Sequence, residues 1–307
     1  MNTFKTVISK NSVIYAAILL GFINFQTART PLVLPNEHNL WSALSQDFTI
    51  PAHSKKAAVQ QQVTKDLRDP SYIHTLTKNA RPYVYQIAQE AKKLNVPVEL
   101  ALLPMVESSY LPSGTSRVGA AGLWQLMPSV ADQYGVKMNA WYDGRRSVTA
   151  STKAALTLLA SLYKQFNDNW PLALAAYNAG PGTVMNAIHY NEKHGKPTDF
   201  WSLKLPKETE EYVPKLLALA AIIQHPHKYD VTLAVVPNKP VTKTVKIDKK
   251  IPLDTIAKMA NVSVSTVKKL NPYLKQHATP PHQMVTLMLP VTHKSIFVKQ
   301  LQAQTEV

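Results

Sequence analysis

The sequence predicts a mainly α-helical protein, with a helical domain in the middle of the chain and a small α+β module towards its C-terminal end. The chain has 307 residues, enough for one domain with a sizeable core and one smaller module. Apolar residues recur at three- and four-residue steps through much of residues 81–230, which is typical of amphipathic helices. After Tyr229, β-branched residues alternate with lysine and proline, which indicates short strands.

Residues 1–28 have the pattern of an export signal. An apolar stretch at about residues 13–25 follows two lysines and is shorter than the ~20 residues of a membrane-spanning helix. Cleavage is expected after Ala28, but Gln26 makes a poor cleavage site, so an uncleaved N-terminal anchor is the alternative. We therefore expect an exported, periplasmic monomer that is either free or associated with the membrane, peripherally or through this segment.

The composition limits how the protein is stabilised and what it binds. The chain has no cysteine, so disulfides and a lipid anchor on an N-terminal cysteine are excluded. The formal net charge of +15 indicates an anionic partner, which is a nucleic acid, an acidic membrane surface or a polyanionic wall polymer. Export argues against nucleic acid. A solvated basic surface on the C-terminal part is an equal alternative, because many lysines lie there: Lys239, Lys243, Lys246, Lys249, Lys250, Lys258, Lys268, Lys269 and Lys275.

Residues 29–80 form a polar N-terminal segment in which apolar residues show little periodicity. We expect this segment to pack on the helical domain at residues 81–230. Within that domain, apolar spacing and capping residues predict helices, with a break at Asn95-Val96-Pro97 and a cap at Ser151-Thr152. One helix is predicted to end before Gly180, because glycine is the usual residue just after a helix C-terminus. The last helix is apolar on nearly all faces, as expected for a helix at the centre of a bundle. The predicted helices cover about 82–94, 97–107, 154–166, 170–179 and 208–224.

A lone carboxylate interrupts the apolar run at residues 100–110. Counting back from Glu107 by helical steps reaches Leu103 and Leu100, so the acid is predicted on the face that points to the interior. Burial disfavours the ionised form and raises the pKa of a carboxyl group, which a general acid working near neutral pH requires. For Glu107 considered alone, a structural carboxylate at a helix end is the alternative.

Two later segments, Gly122–Pro128 and Ala176–Gly180, each combine glycine, an amide and an aromatic ring. That composition is expected where a sugar ring stacks against closely approaching backbone, so a polysaccharide substrate is predicted. With Glu107-Ser108 and Glu208–Lys215, these segments closely resemble the soluble-lytic-transglycosylase domain family and, within it, the membrane-bound lytic murein transglycosylase D type. The resemblance runs from about Leu40 to Asp230 and includes Trp141–Arg146 and Phe200-Trp201.

The resemblance implies a lysozyme-like α-helical catalytic domain that cleaves peptidoglycan between N-acetylmuramic acid and N-acetylglucosamine and leaves a 1,6-anhydro ring. Glu107 would protonate the leaving oxygen and then, as a carboxylate, take the proton of the muramoyl 6-hydroxyl. The substrate supplies its own nucleophile, so no second carboxylate is needed. Asp143 is interpreted as structural, paired with Arg145 or Arg146, and Asp168 as a turn residue.

By the same resemblance, the candidate substrate-binding residues are Ser108, Gln125, Tyr177, Asn178 and Tyr212. Gln125 and Asn178 are expected to bind acetamido and hydroxyl groups, and Tyr177 and Tyr212 to hold Glu107 or flank the sugar. For Ser108, a helix-end hydroxyl bonded to backbone is an equal alternative. For Tyr212, the alternative is a core position on a buried helix.

The remaining conspicuous residues are assigned structural roles, and no cofactor or metal is predicted. His225 and His227 form the only close histidine pair, and no third ligand is placed by spacing. Gly122 and Gly180 are expected to permit tight turns. Packing is the expected role of Trp124, Trp170 and Trp201.

At the C-terminal end, residues 231–250 are predicted as a linker with short strands, and residues 251–292 as strand, helix, helix and strand before a tail at 293–307. The stretch Asp254–Pro272 has the appearance of a DNA-binding helix-turn-helix. It also resembles the helical half of a LysM repeat, which an exported chain favours. The usual glycine-aspartate turn is replaced by Lys249–Pro252, so glycan binding by this module is in doubt.

The leading hypothesis is an exported lytic transglycosylase acting on peptidoglycan, without nucleic acid as a partner. A muramidase that uses water is the nearest alternative. A non-catalytic peptidoglycan-binding protein that kept the cleft is a third hypothesis, and a DNA-binding protein is the least favoured.

Overall fold

A computed structural model of the protein describes residues 39–303, so the export signal or anchor predicted at residues 1–28 lies outside the described residues. The described chain is mainly α-helical with one two-stranded sheet, which confirms the predicted fold class. No helix within residues 39–303 combines the length and the apolar character that crossing a membrane requires.

The helical part runs from residue 40 to about residue 229. Its α-helices are α1 Leu40–Gln46, α2 Ala57–Asp66, α3 Pro70–Ala80, α4 Val84–Lys93, α5 Leu103–Ser108, α6 Pro128–Gln133, α7 Val148–Gln165, α8 Trp170–Ala179, α9 Pro181–Lys193 and α10 Lys207–Gln224. Short 3₁₀ turns cover Val98–Leu102, Gly144–Arg146, Phe200–Ser202 and Pro226–Tyr229. Helix α10 lies at the centre, because twelve of its residues are buried and it contacts α1, α2, α5 and α8.

Helix α7 begins earlier than predicted, at Val148 rather than near Ala154. Its N-cap is Ser147, whose side chain accepts the N–H of Ala150 at 3.4 Å. Ser151 and Thr152 resemble a cap in the sequence, but both are buried inside the helix. The Ser151 hydroxyl donates to the Ser147 carbonyl at 2.7 Å, a bond back to the preceding turn that hydroxyl side chains make in helix interiors.

The N-terminal segment at residues 29–80 is more helical than its composition indicates, since α1, α2 and α3 all lie in it. Helix α2 shows why the periodicity is weak: its buried positions are Val59, Gln62 and Asp66, of which only Val59 is apolar. Helix α1 packs into the main core through Trp41, which is fully buried and donates its indole N–H to the Ala234 carbonyl at 2.9 Å.

The chain enters and leaves the helical part at the same place. Asn39 forms an isolated antiparallel bridge with Pro237, and the N–H of Leu40 donates to the Val236 carbonyl at 2.8 Å. The segment that follows α10 is therefore held against the start of α1.

The C-terminal module contains a hairpin-like sheet with helices inserted between its two strands. Strand β1, Thr242–Ile247, pairs antiparallel with β2, Val285–Pro290, in a register that runs from Thr242 opposite Pro290 to Ile247 opposite Val285. Helices α11, Leu253–Ala260, and α12, Val264–Leu270, lie between the strands in sequence, and α13, Val291–Ala303, follows β2.

Two details of this module differ from the sequence-based expectation. Strand β1, at 242–247, lies in the segment predicted as a linker with short strands, but the described chain has no strand near Ile251, where one was also expected. The residues there form a loop in which the N–H of Ile251 donates to the Thr279 hydroxyl at 2.8 Å. The predicted tail forms α13, because Phe297 inserts into the apolar core of the module and is fully buried there.

The module contacts the helical domain through backbone as well as side-chain groups. The amide of Gln86 donates to the Thr242 carbonyl at 2.6 Å, and the N–H of Asp143 donates to the Tyr273 carbonyl at 2.9 Å. The rings of Tyr142 and Tyr273 lie 5.1 Å apart, in a tilted arrangement. The loop that precedes α7 is thus held by the module on one side.

Candidate active site

Glu107 lies at the end of a short buried helix whose backbone reverses immediately afterwards. Leu103, Pro104 and Met105 of α5 are buried, and Ser109 and Tyr110 both have positive φ angles, of 50° and 61°. The Tyr110 hydroxyl donates to the Ala101 carbonyl at 2.6 Å, which fixes this turn against the preceding 3₁₀ segment. The last turn of α5 is therefore anchored at its base while Glu107 remains partly exposed.

The carboxyl group of Glu107 lies beside two tyrosines, Tyr212 and Tyr177, although the residue as a whole is partly exposed. Burial raises its pKa to about 7, although the hydrogen bond from the Tyr212 hydroxyl to Oε1 acts in the opposite direction. The charge of Glu208 adds to the rise. This is the environment that the position of Glu107 in an apolar run predicted, and it allows the group to give and to take a proton near neutral pH.

Tyr177 and Tyr212 both remain phenols in this site. Burial raises the pKa of each hydroxyl well above its usual value, and the nearby Glu107 raises both further. Tyr212 is 3% exposed, so it combines the core position and the contact with Glu107 that were considered as alternatives. Tyr177 donates its hydroxyl hydrogen to the Trp124 carbonyl at 2.8 Å.

The segment from Ser113 to Met127, called the cleft loop below, lies beside the turn at Glu107. The Ser108 hydroxyl is within hydrogen-bond distance of the Leu123 carbonyl at 2.9 Å and of the Pro104 carbonyl at 3.2 Å. These contacts match the alternative in which Ser108 bonds to backbone. The bond to Leu123 also ties the cleft loop to α5.

Gln125 has a positive φ of 45°, and its amide nitrogen donates to the Gly122 carbonyl at 2.9 Å. Its amide oxygen has no hydrogen-bond partner within residues 39–303. Asn178 accepts the Thr209 hydroxyl at 2.7 Å, and its own amide nitrogen is likewise unpaired in the described chain. Each of these two predicted residues therefore keeps one polar group that a ligand can use.

Thr209 was missed by the sequence analysis. Its buried hydroxyl joins the end of α8 to the start of α10 through Asn178. The sequence contained a signal that could have identified Thr209. It lies three residues before Tyr212 and so shares one face of α10 with that tyrosine.

The Asp143, Arg145 and Arg146 side chains form a network behind the cleft loop. Asp143 bonds Arg145 through both carboxylate oxygens, at 3.0 and 2.9 Å, and lies 3.5 Å from Arg146. Burial alone would raise the pKa of Asp143, but its bonds and charge pairing with Arg145 hold the pKa below the usual value. Arg145 also donates to the Gly119 carbonyl at 2.6 Å. The predicted pairing of Asp143 with Arg145 is confirmed, and its purely structural role stays a prediction.

The tryptophans divide into two groups. Trp124 is fully buried and donates its indole N–H to the Thr152 hydroxyl at 2.9 Å, as expected for a core residue. Trp170 and Trp201 are only partly buried. Trp170 stacks on Tyr163 with ring centres 4.3 Å apart.

Comparison with known proteins gives the following similarities. Residues 85–200 match the transglycosylase SLT domain family, and residues 241–306 match the LysM-like domain of lytic transglycosylase MltD. The membrane-bound lytic murein transglycosylase D of Escherichia coli K12 is 41% identical over 257 residues, which are 83% of this chain and 56% of that protein. The chain thus spans little more than half the length of this curated relative.

Two further proteins are similar over shorter stretches. A putative tributyltin chloride resistance protein of Alteromonas sp. strain M-1 is 37% identical over 182 residues, which are 59% of this chain and 86% of that protein. The X-ray structure of the lytic transglycosylase Slt from Pseudomonas aeruginosa aligns with a TM-score of 0.35 at 25% identity, covering 48% of this chain and 24% of that one. The predicted resemblances of the central domain and of the C-terminal module are confirmed by the family matches.

Replacement of Gly122 by alanine is expected to destabilise the protein by about 3 kcal/mol or more. Gly122 has a φ of +83°, and an added Cβ would lie 1.8 Å from the Arg145 carbonyl oxygen. Urea unfolding measures the effect. Gly182→Ala is the matched control, since its Cβ meets nothing within 4 Å in α9, and it should stabilise by about 0.5–1 kcal/mol. Equal stability of the two variants would contradict the packing described for Gly122.

Glu107→Gln is expected to be more stable than the wild type above pH 7, by up to about 3 kcal/mol. The folded-state pKa of about 7 exceeds the ordinary value of 4.5, so the native state loses stability as pH rises through this window. Below pH 4.5 the Glu107 carboxyl group is mostly protonated in both the folded and the unfolded state. The difference in stability between the variant and the wild type should therefore vanish there. Unfolding curves at pH 4 and pH 8 test this, with the exposed Glu192→Gln as control. A difference of the same size at both pH values would count against burial of the Glu107 charge.

Proposed function

Since the chain belongs to the transglycosylase SLT domain family, we propose that it is a lytic transglycosylase that cleaves peptidoglycan between N-acetylmuramic acid and N-acetylglucosamine. The observation that carries this proposal is the carboxyl group of Glu107, which accepts the Tyr212 hydroxyl and has a pKa raised by burial to about 7. A group with this pKa is present in both protonation states near neutral pH, as a residue that acts first as acid and then as base must be.

In the proposed reaction, protonated Glu107 gives its proton to the glycosidic oxygen as the bond from that oxygen to C1 of the muramoyl residue breaks. The resulting carboxylate takes the proton of the muramoyl 6-hydroxyl, whose oxygen forms the new bond to C1. The products are a free 4-hydroxyl on N-acetylglucosamine and a 1,6-anhydro ring, and no water is consumed. Asp143 is held in its ion pair with Arg145, which supports a mechanism with one carboxylate.

The other predicted residues have distinct roles in this proposal. Tyr212 positions Glu107 and stabilises its carboxylate, and Tyr177 lines the same enclosure. Ser108 holds the cleft loop against α5. The free amide oxygen of Gln125 and the free amide nitrogen of Asn178 bind hydroxyl and acetamido groups of the sugar.

We place the protein in the cell envelope, where its substrate lies, as a monomer that contacts glycan strands through the cleft beside Glu107. The positive charge of the chain suits a polyanionic wall polymer. The main role proposed for the LysM-like module is structural support of the helical domain, because the module forms a hydrogen bond with the loop that precedes α7.

Glu107→Gln should abolish the release of muropeptides from purified sacculi, since the amide of glutamine is far too weak an acid to protonate the glycosidic oxygen. Asp168→Asn, which changes an exposed acid paired with Lys164 at 2.8 Å, serves as control and should keep wild-type clearing. Mass spectrometry of the wild-type digest should show anhydro ends, which are lighter by one water than the reducing ends left by hydrolysis. Clearing by Glu107→Gln would refute the role of the acid, and reducing ends would point to a muramidase. Binding of sacculi without any released product would favour a non-catalytic binding protein.

Tyr212→Phe should shift the alkaline limb of the kcat/KM profile to higher pH. The lost hydrogen bond lowers the pKa of Glu107, so its removal raises that pKa further above 7, and the acid keeps its proton at higher pH. The maximum rate should fall by about tenfold to a hundredfold, because Glu107 is less well positioned. Tyr190→Phe, at a tyrosine that is 55% exposed, is the control. An unchanged or acid-shifted limb would show that Tyr212 does not stabilise the Glu107 carboxylate.

A further inference from the structure

A groove opens at the end of α8 that lies away from Glu107. Helix α8 ends beside the acid with Tyr177 and Asn178, but it begins at Trp170, about 12 Å away along the helix axis at a rise of about 1.5 Å per residue. The groove has a volume of about 620 Å³ and lies between α7, the start of α8, the turn after α4 and the segment after α1. We call it the α7–α8 groove and define it by Thr49, Asn95, Ala160, Tyr163 and Trp170.

An aromatic pair forms part of the wall of the α7–α8 groove. The rings of Tyr163 and Trp170 stack with an interplanar angle of 17°, and both residues are only partly buried. Trp41 and Trp124, in contrast, are fully buried in the core. The indole N–H of Trp170 has no hydrogen-bond partner within residues 39–303, so it can donate to a ligand. An aromatic surface that is open to solvent in a concave site is suited to stacking against a sugar ring.

Two polar side chains with unused hydrogen-bonding groups also line the groove. Asn95 and Thr49 are exposed, and neither the amide nor the hydroxyl forms a hydrogen bond in the described part of the chain. The backbone that carries them is fixed. Asn95 has a φ of 52° and donates its N–H to the Lys92 carbonyl at 3.1 Å. The N–H of Thr49 donates to the buried Glu99 carboxylate. The groove therefore presents an amide and a hydroxyl, which can bind the hydroxyl and acetamido groups of a sugar.

The charges that line the groove are neutralised by neighbouring side chains. The carboxylate of Asp47 pairs with Lys92 at 2.5 Å, and the ammonium group of Lys164 pairs with Asp168 at 2.8 Å. These four side chains carry no net charge, although the whole chain has a formal charge of +15. The lining therefore favours a neutral ligand over a polyanion.

The groove adjoins a second hollow of about 490 Å³. Trp170 lines both spaces, and the hollow adds the rings of His53 and Trp201, whose centres are 5.2 Å apart. Burial lowers the pKa of His53, so its ring is neutral near pH 7. Asp199 adds one carboxylate to this hollow, and the ammonium group of Lys56 lies 5.3 Å from the Trp201 ring centre. Two adjoining spaces with aromatic rings suit a polymer chain better than a single sugar.

We propose that the α7–α8 groove is a second, non-catalytic binding site for a neutral glycan strand of β-1,4-linked N-acetylated sugars. The stacked pair of Tyr163 and Trp170 contacts the face of a sugar ring, and Asn95 and Thr49 bind its hydroxyl and acetamido groups. Because the groove lies at the other end of α8 from the acid, a strand bound there leaves the cleft free to act on another strand. The choice of sugar rests on the proposed function, whereas the presence of a sugar site rests on the groove itself.

The test is a titration of the full-length Glu107→Gln variant, labelled with nitrogen-15, with a neutral hexamer of β-1,4-linked N-acetylglucosamine. The chain has five tryptophans, and the indole N–H signal that is lost in Trp170→Leu identifies the signal of Trp170. That signal should shift as the hexamer is added, because the sugar binds against the ring. A Trp170 signal that does not shift at the highest soluble hexamer concentration overturns the proposal.

Adding Thr49→Ala and Asn95→Gly to this variant separates direct binding from an effect transmitted along α8 from the cleft. Both positions are exposed, and glycine adopts the positive φ at position 95 without strain, so the fold should be retained. The hexamer concentration at which the Trp170 signal is half shifted should rise about tenfold, as for the loss of two neutral hydrogen bonds. Tyr190→Ala, at an exposed tyrosine that lines neither space, is the control and should leave this concentration unchanged. An unchanged concentration with Thr49→Ala and Asn95→Gly overturns the proposal.

Release of products from purified sacculi by the wild type tests the proposed function separately. If the wild type releases no product but both titrations give the expected result, the proposed function fails and the groove remains a sugar-binding site. If products are released and the Trp170 signal does not shift, the groove proposal fails and the proposed function stands.

Discussion

The structure around the candidate site depends on keeping one ionisable carboxyl group largely away from water. Glu107 is held at the junction of α5, α8 and α10, with the Tyr212 hydroxyl as its direct partner and Tyr177 beside it. Burial works against the charged form of Glu107, and the Tyr212 bond works for it. The balance between these two effects, rather than either alone, sets the proton affinity of the group. The apolar residues of α5 and α10 supply the packing that maintains this arrangement.

The cleft loop is fixed from several directions, which explains how a segment with little regular structure is held beside α5 and α8. Ser108 and Tyr177 bond to its Leu123 and Trp124 carbonyls from the side of the helices. Arg145 bonds to the Gly119 carbonyl from the opposite side. Asp143, which pairs with Arg145, also donates its backbone N–H to Tyr273 of the C-terminal module. A continuous path of bonds therefore leads from that module to the cleft loop.

The sequence was most informative where local spacing carries the physical information. The interior position of Glu107, the raised pKa and the central place of α10 all follow from apolar periodicity. The same reasoning placed the start of α7 wrongly, because a hydroxyl at a helix start and one buried inside a helix look alike in sequence. It predicted short strands within residues 231–250, where β1 lies, but also a strand near residue 251, where the described chain has a loop. The bond between Thr209 and Asn178 joins residues 31 positions apart, so only the fold determines it.

The antiparallel bridge between Asn39 and Pro237 brings both boundaries of the helical part together. A unit whose ends are adjacent can be exchanged between genes as a single insertion, since the flanking segments need not move to accommodate it. Recombination at these two positions would transplant the acid and its tyrosines together. The geometry of the boundary thus favours tolerance of the helical part as an insertion, at the cost of its bonds to the C-terminal module, such as Gln86 to Thr242.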